Sequence, residues 1–472
     1  MTEQTKGILD RTIANIKKAW LDIATPSYGS KVSETVELTP SLPDNEIEKL
    51  KAQMKACLSG LGGEVSARSR AAALGRAYLS LDQEGRKRFL SVLANEFGPD
   101  REKVDAAAAA LLSASPDKRL LKERELHSVL EAPRIKLLTQ FNDLPEGVKF
   151  LVDMRAELLG FLREAPSLKP LETDLKNLLT RWFDVGFLEL RRITWESPAT
   201  VLEKLIAYEA VHAIKSWDDL KNRLDSDRRC FAYFHPRMPE EPLIFVEVAL
   251  VAGMSGHIKP LLDENAPVMD PEKANTAIFY SISNAQKGLA GISFGNFLIK
   301  RVVGQLSRDF PNLKTFATLS PIPGFRKWLD GRLSEGEPKL LLPPERKILK
   351  AVTGSTGSKG GLKAALAQPL WFEDEKMEGA LKPILTRLCA RYLMNEKGRG
   401  GRALDPVAHF HLTNGARMER LNWLGDPTEN GLRQSVGMMI NYRYQLKDIE
   451  NNHEVYTGKG EVKTSSSFKS IA

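Results

Sequence analysis

Apolar positions recur every three to four residues through the first third of the chain, and short polar or glycine-rich gaps interrupt them. This period predicts helices over 45–58, 66–79, 82–97, 100–112, 118–131, 134–141 and 145–162. Phe89, Leu90, Leu93 and Phe97 form one stripe that stops at Gly98-Pro99, and Asp100 is placed to cap the alanine-rich helix that follows. Gaps this short join antiparallel neighbours, so residues 1–175 are expected to form an all-helical bundle. Residues 1–40 are weakly patterned, with one short helix over 8–21 and the remainder expected to be mobile. EAPSLKP (164–170) reads as a linker, and a helix over 171–187 comes next.

The pattern then shortens to runs typical of strands. RCFAYF (229–234) and LIFVEVALV (243–251) flank HPRMPEEP, which predicts a hairpin with a proline-rich turn. Residues 340–393 return to helical spacing, interrupted by GSTGSKGG (354–361). KGRGGR (397–402) is glycine-rich and cationic, and reads as a mobile loop. Asp405-Pro406 opens a short helix, VAHFHLT, that ends at Asn414-Gly415. Strands are expected over 416–423 and 435–444, with Val436, Met438, Ile440, Tyr442 and Tyr444 on one face. The Ser/Lys-rich tail after Tyr456 is expected to be disordered.

Between these segments lies NTAIFYSISNAQKGLAGISFGNFLIKRVVGQLSRDFPNLKTFATLSPIPGF (275–325). It reads as strand, glycine loop, helix and strand, closed by a proline-locked turn. A single crossover of this kind makes a right-handed parallel unit. Its two loops leave the carboxyl ends of neighbouring strands, where open α/β sheets bind ligands. The glycine loop runs into a helix N-terminus, which favours phosphate, and Ser320 ends the second strand beside it. The loop is neither a Walker loop nor GxGxxG, so an ordinary glycine turn and a serine ending a core strand fit the residues equally well.

A chain of 472 residues can form two or more domains. The net charge of +8 comes from interspersed Lys/Arg and Asp/Glu, which suits phosphate-bearing small molecules and gives no basic tract for nucleic acid. Cys57, Cys230 and Cys389 are too few and too scattered for a disulfide framework or a zinc knuckle. No apolar run is long enough to span a bilayer. The first twenty residues lack a secretory or transit pattern, and the chain ends in Ser-Ile-Ala in place of a peroxisomal signal, so a cytoplasmic protein is expected. His409 and His411 are two residues apart and face different sides of a helix. No metal set at zincin spacing is present, and no GxSxG elbow occurs.

What remains is a serine at a strand end, a histidine near a helix C-terminus and two late tyrosines. On residue types alone this set is not diagnostic. The segments FYSISNAQKGLAGISFGNFLIKRVV, FATLSPIPGFRKWL, DPVAHFHLTNGARMERLNW and VGMMINYRY, however, closely resemble malonyl-CoA decarboxylase over roughly residues 180–445. The resemblance implies an α+β protein: a helical bundle that mediates oligomerisation, followed over 176–472 by a GNAT-like mixed α/β catalytic domain. It implies catalytic residues Ser320, in LSPIPGF, and His411, in FHLTNGA. It implies an acyl-CoA loop over Ala290, Gly291, Ile292, Ser293, Phe294, Gly295 and Asn296, with Ser293 standing where the family pattern has glutamate. Asn441 and Tyr444 are candidate orienting groups. The implied partners are malonyl-CoA and acetyl-CoA in a dimer or tetramer, and no metal or organic cofactor is expected, because the thioester is itself the electron sink. In the implied reaction His411 supplies a proton and Ser320 positions the carboxylate or the enolate. An acyltransferase moving acetyl from CoA to an amine is the enzyme alternative. A CoA-binding scaffold without chemistry is the non-enzymatic one.

Overall fold

The structure is a computed structural model that describes residues 3–24, 37–59, 63–292, 298–337, 339–354 and 360–471. The helical region comprises α1 (Glu3–Ala24), α2 (Ile47–Leu58), α3 (Gly63–Ser80), α4 (Gln83–Glu96), α5 (Arg101–Leu112), α6 (Arg119–Leu130), α7 (Pro133–Asn142), α8 (Gly147–Phe161) and α9 (Lys169–Trp182). Asp82 and Asp100 cap α4 and α5 by accepting the amides of Gly85 and Lys103. Helix α1 is longer than the short helix expected over 8–21, and it is docked. The Trp20 indole N–H donates to the Pro145 carbonyl at 2.7 Å, and the ring meets Phe150 edge-on. A buried indole whose N–H finds a partner anchors the helix that carries it.

The second region contains β1 (Glu189–Ile193), α10 (Ala199–Tyr208), α11 (Trp217–Arg223), β2 (Arg228–Phe234), β3 (Ile244–Val251), α12 (Lys259–Leu262), β4 (Thr276–Asn284), α13 (Leu298–Asp309), β5 (Thr315–Thr318) and β6 (Ser320–Pro321). There follow α14 (Phe325–Glu335), α15 (Pro343–Thr353), α16 (Gly360–Ala367), α17 (Glu375–Asn395), α18 (Pro406–Thr413), β7 (Arg417–Asn422), α19 (Glu429–Ser435), β8 (Met439–Tyr444), α20 (Ile449–Lys459) and α21 (Ser466–Lys469). The strands form one mixed sheet. β1 to β4 are successive antiparallel neighbours, β4 and β5 are parallel, and β8 runs antiparallel to β5, β6 and β7. The helical region followed by a mixed sheet is the α+β architecture expected, and the β4–α13–β5 unit is the crossover read from 275–325.

Three expectations are corrected. Residues 429–435 are helical, and β8 begins only at Met439. The Thr428 side chain caps α19, and Val436 (φ 57°) and Gly437 (φ 77°) turn the chain into the strand. Met439 to Tyr442 are all buried, so β8 is covered on both faces and its alternation is not a solvent pattern. The tail is ordered. Lys463 and Ser465 exchange backbone hydrogen bonds with Met418 beside β7, and Phe468 is buried. β1 had no counterpart in the sequence reading. It pairs with β2 from Glu189↔Phe234 to Ile193↔Cys230.

Candidate active site

Strands β4 and β5 pair from Thr276↔Thr315 to Phe279↔Thr318, and then part. β4 continues to Asn284, whereas Ser320 and Pro321 turn to pair with Ile440 and Met439 of β8. Pro321 and Pro323 cannot donate to a ladder, which favours the bend. The two strands therefore diverge beyond this point. Helix α18 lies across the opening, held by Asp405, whose carboxylate accepts the amides of Val407 and Ala408. The resulting cavity is about 220 Å³. Its walls include Val211, Phe279, Ile282, Pro321, Val407 and Phe410, and its polar lining is Tyr280, Asn284, Ser320 and His411. Among the described residues that line it there is no lysine, arginine or carboxylate. The wall at Val211 is fixed by Glu209, which accepts the amides of Val211 and His212 and the hydroxyls of Ser281 and Ser283.

Ser320 and His411, ninety-one positions apart, meet here. Ser320 Oγ lies 3.0 Å from His411 Nε2 and donates to Thr318 Oγ1 at 2.8 Å. Thr318 Oγ1 also accepts the Tyr442 amide at 3.1 Å. On the other side of the ring, His411 Nδ1 is 2.8 Å from the Tyr444 hydroxyl. These bonds assign the tautomer. Ser320 has one proton and gives it to Thr318, so the Ser320–His411 bond needs a proton on Nε2. Nδ1 is then the acceptor for the Tyr444 hydroxyl. The ring stacks on Tyr442 at 4.5 Å between centroids. Burial, with no carboxylate beside the ring, pushes its pKa down to about 3, so His411 is neutral at pH 7. Tyr444 is likewise pushed well above its ordinary value by burial. His409 points elsewhere and bonds the Tyr456 hydroxyl at 2.9 Å.

Asn441 is not brought to the cavity. Its amide nitrogen donates to the Thr318 and Ser255 carbonyls, and its oxygen accepts from Asn422 and Arg420. With donors and acceptor both used, it fastens β8 to the end of β5. Of the loop residues, Ala290, Gly291 and Ile292 are described, and they follow the short 3-10 turn over Lys287–Leu289 that comes after β4. Ser293, Phe294, Gly295 and Asn296 lie outside the described residues.

The support of this loop was missed in the sequence. Arg155 of α8 is buried and donates to the carbonyls of Gly288 at 2.5 Å and Ala290 at 2.9 Å. Its charge is paired at 2.8 Å with Glu172 of α9, also buried, which Lys169 contacts too. Gly288 packs so closely on α8 that a Cβ there would lie 1.8 Å from the Val152 carbonyl oxygen. Thr318 was missed as well. Its spacing of two from Ser320 along the strand was the available signal.

Residues 186–471 match the model of the malonyl-CoA decarboxylase C-terminal domain. This chain belongs to the malonyl-CoA decarboxylase family. Residues 97–183 match the N-terminal domain of the same family. The chain is 42% identical over 416 residues to a mitochondrial malonyl-CoA decarboxylase of the goose Anser anser anser, covering 84% of this chain and 82% of that one. It is 39% identical over 463 residues to the mouse mitochondrial protein, covering 95% and 88%. The crystal structure of malonyl-CoA decarboxylase from Rhodopseudomonas palustris superposes with a TM-score of 0.82 at 44% identity, covering 90% of this chain and 99% of that one. The Agrobacterium vitis structure gives 0.81 at 41% identity. Among the described residues, no helix is long and apolar enough to cross a membrane.

Proposed function

We propose that this chain is a carboxy-lyase that converts malonyl-CoA and a proton to acetyl-CoA and CO2 in the cavity between β4, β6 and α18. The observation that carries the reading is the Ser320–His411 pair, closed at both ends by Thr318 and Tyr444, inside a largely apolar cavity whose described lining has no cation. Family membership supplies the substrate. The malonyl carboxylate loses hydration on entering and meets no cation among the described residues, which disfavours the charged ground state. When the C–C bond breaks, its electron pair passes to the α-carbon and the thioester becomes an enolate. Ser320 turns its single O–H from Thr318 to the enolate oxygen. His411 gives its Nε2 proton to the α-carbon. A thioester enolate is a far stronger base than the imidazole anion, so a neutral imidazole suffices as donor. The Tyr444 hydroxyl, donating to Nδ1, steadies the negative charge left on the ring, and solvent restores the proton.

Running the reaction in heavy water tests this. Acetyl-CoA with one deuterium in its methyl group, formed without any amine, is expected. Consumption of the thioester only when an amine is added would favour the acyltransferase. Residues 1–175 serve as the oligomerisation domain and 176–472 as the catalytic domain in this reading, although α9 continues to Trp182 and bridges the two. The α5–α6 hairpin supports assembly. It has no buried residue and displays Leu112 (87% exposed), Leu120, Leu121 and Leu130. A dimer or tetramer by light scattering, reduced by charged substitutions at Leu112 and Leu121, is expected. We place the enzyme in the cytoplasm. The goose and mouse relatives are named mitochondrial, and fractionation of the native cell decides the point.

A further inference from the structure

The glycine loop that opens the substrate site is held from outside the sheet. Asn284 ends β4 and lines the cavity, and Gly291 lies seven residues further along the chain. Between them, Arg155 of α8 fixes the carbonyls of Gly288 and Ala290, and the Arg155–Glu172 pair ties α8 to α9 at the same point. Lys176 is one helical turn beyond Glu172 on α9. Gly291 has a φ of +72°, and a methyl group placed on it would sit 3.5 Å from the Lys176 Nζ. The ammonium therefore stands directly over the open side of the loop, half-buried against it. Among the described residues it has no ion pair. Ala290 and Gly291 are themselves exposed, so the space between the loop and Lys176 faces solvent and is accessible to ligand.

This arrangement differs from a surface lysine that happens to be near a loop. The loop backbone cannot drift from the helix that carries Lys176. Arg155 clamps it, and Gly288 lies in contact with the Val152 carbonyl of α8. A cation held at a fixed offset from a backbone turn suits a phosphate ester, which would take a charge-assisted bond from the ammonium while lying along the loop. The described residues lining the cavity include no cation, so Lys176 offers the anionic groups of the substrate a partner outside it.

We propose that Lys176, on α9 where that helix bridges the two regions, binds a phosphate of the CoA moiety at the glycine loop, and that Arg155 of the helical region is the positioning residue that sets the loop against it. This rests on the acyl-CoA reading above, and adds that the helical region forms part of the substrate site. Either the diphosphate or the 3′-phosphate of CoA provides the required chemistry.

The test uses the full chain and its Lys176→Ala and Lys176→Arg variants. Malonyl-CoA, malonyl-dephospho-CoA and malonyl-pantetheine serve as substrates, and acetyl-CoA is the ligand for calorimetry. Lys176→Ala is expected to raise KM for malonyl-CoA by roughly three- to tenfold with kcat within about twofold. Lys176→Arg should recover most of the loss, and the difference should shrink at high salt. With malonyl-pantetheine, which has no phosphate, the variants should match the parent. A defect that persists with malonyl-dephospho-CoA assigns the diphosphate as partner, and one that disappears assigns the 3′-phosphate. An unchanged KM in an active Lys176→Ala protein, or an equal defect with malonyl-pantetheine, overturns the proposal. Should the parent chain bind acetyl-CoA without decarboxylating malonyl-CoA, the reaction assigned above fails. Calorimetry on Lys176→Ala then still decides the phosphate contact, since unweakened binding overturns it.

Discussion

Replacing Tyr444 with phenylalanine removes one hydroxyl and nothing else from the site. The ring is fully buried and packs near Phe279, so the shape of the core is retained. What is lost is the 2.8 Å bond to His411 Nδ1. In the resting protein this leaves a buried acceptor unpaired, which costs roughly 1–3 kcal/mol of stability. In the reaction the bond matters more, because the imidazole gains negative charge as Nε2 gives up its proton. A hydrogen bond to a charged group contributes about 1.5–3 kcal/mol, so kcat should fall by about tenfold to a hundredfold. KM should move little, since Tyr444 does not line the cavity. The assay is initial-rate formation of acetyl-CoA from malonyl-CoA, with circular dichroism to confirm folding. A folded Tyr444→Phe protein with kcat within about twofold of the parent would refute the role given to this bond.

Other consequences can be checked separately. Arg155→Met leaves Glu172 buried with only Lys169 as partner, so a loss of roughly 3 kcal/mol in stability and a higher KM for malonyl-CoA are expected from denaturation and rate measurements. Asn441→Ala removes the bonds joining β8 to Thr318 and Ser255, and should lower the melting temperature while changing KM little, in contrast to a residue that touches substrate. Because His411 is neutral and Tyr444 titrates well above its ordinary value, kcat/KM should be level between about pH 6 and 9, and a limb near the ordinary histidine pKa would show an imidazolium at work. The folded-state pKa of His411 is depressed from 6.5 to about 3, so the unfolded chain binds the extra proton in that interval. The stability due to this group is fully present above about pH 6.5 and is lost as pH falls toward about 3, by up to about 1.4 kcal/mol per pH unit, and a His411→Asn protein should lack that part of the slope in denaturant midpoints.

The sequence made the ends of the site legible better than its supports. LSPIPGF announces a strand stopped by prolines, and Asp405-Pro406 with Asn414-Gly415 marks both ends of α18, so Ser320 and His411 could be placed on their elements from local chemistry alone. Their meeting could not, because it depends on β6 leaving β5 to pair with β8, a long-range choice with no local signature. Arg155 reads as one more cation on an amphipathic helix, and only the packing of α8 on the glycine loop gives its guanidinium carbonyls to hold. Asn441 looked like a site residue because it alternates with tyrosines on a late strand. The burial of β8 on both faces explains why a polar side chain there serves the framework. The tail was misread for a related reason: its Ser/Lys composition hides a single anchor, Phe468, and the backbone pairing with Met418 that composition does not encode.

The most direct test is turnover of malonyl-CoA by the purified full chain with a chelator present and no amine, following acetyl-CoA by chromatography. Steady acetyl-CoA formation by the parent, reduced by at least about a hundredfold in folded His411→Asn and Ser320→Ala proteins, is the predicted result. Parent-like turnover in either variant, or no acetyl-CoA from the folded parent, would contradict decarboxylation at the Ser320–His411 pair.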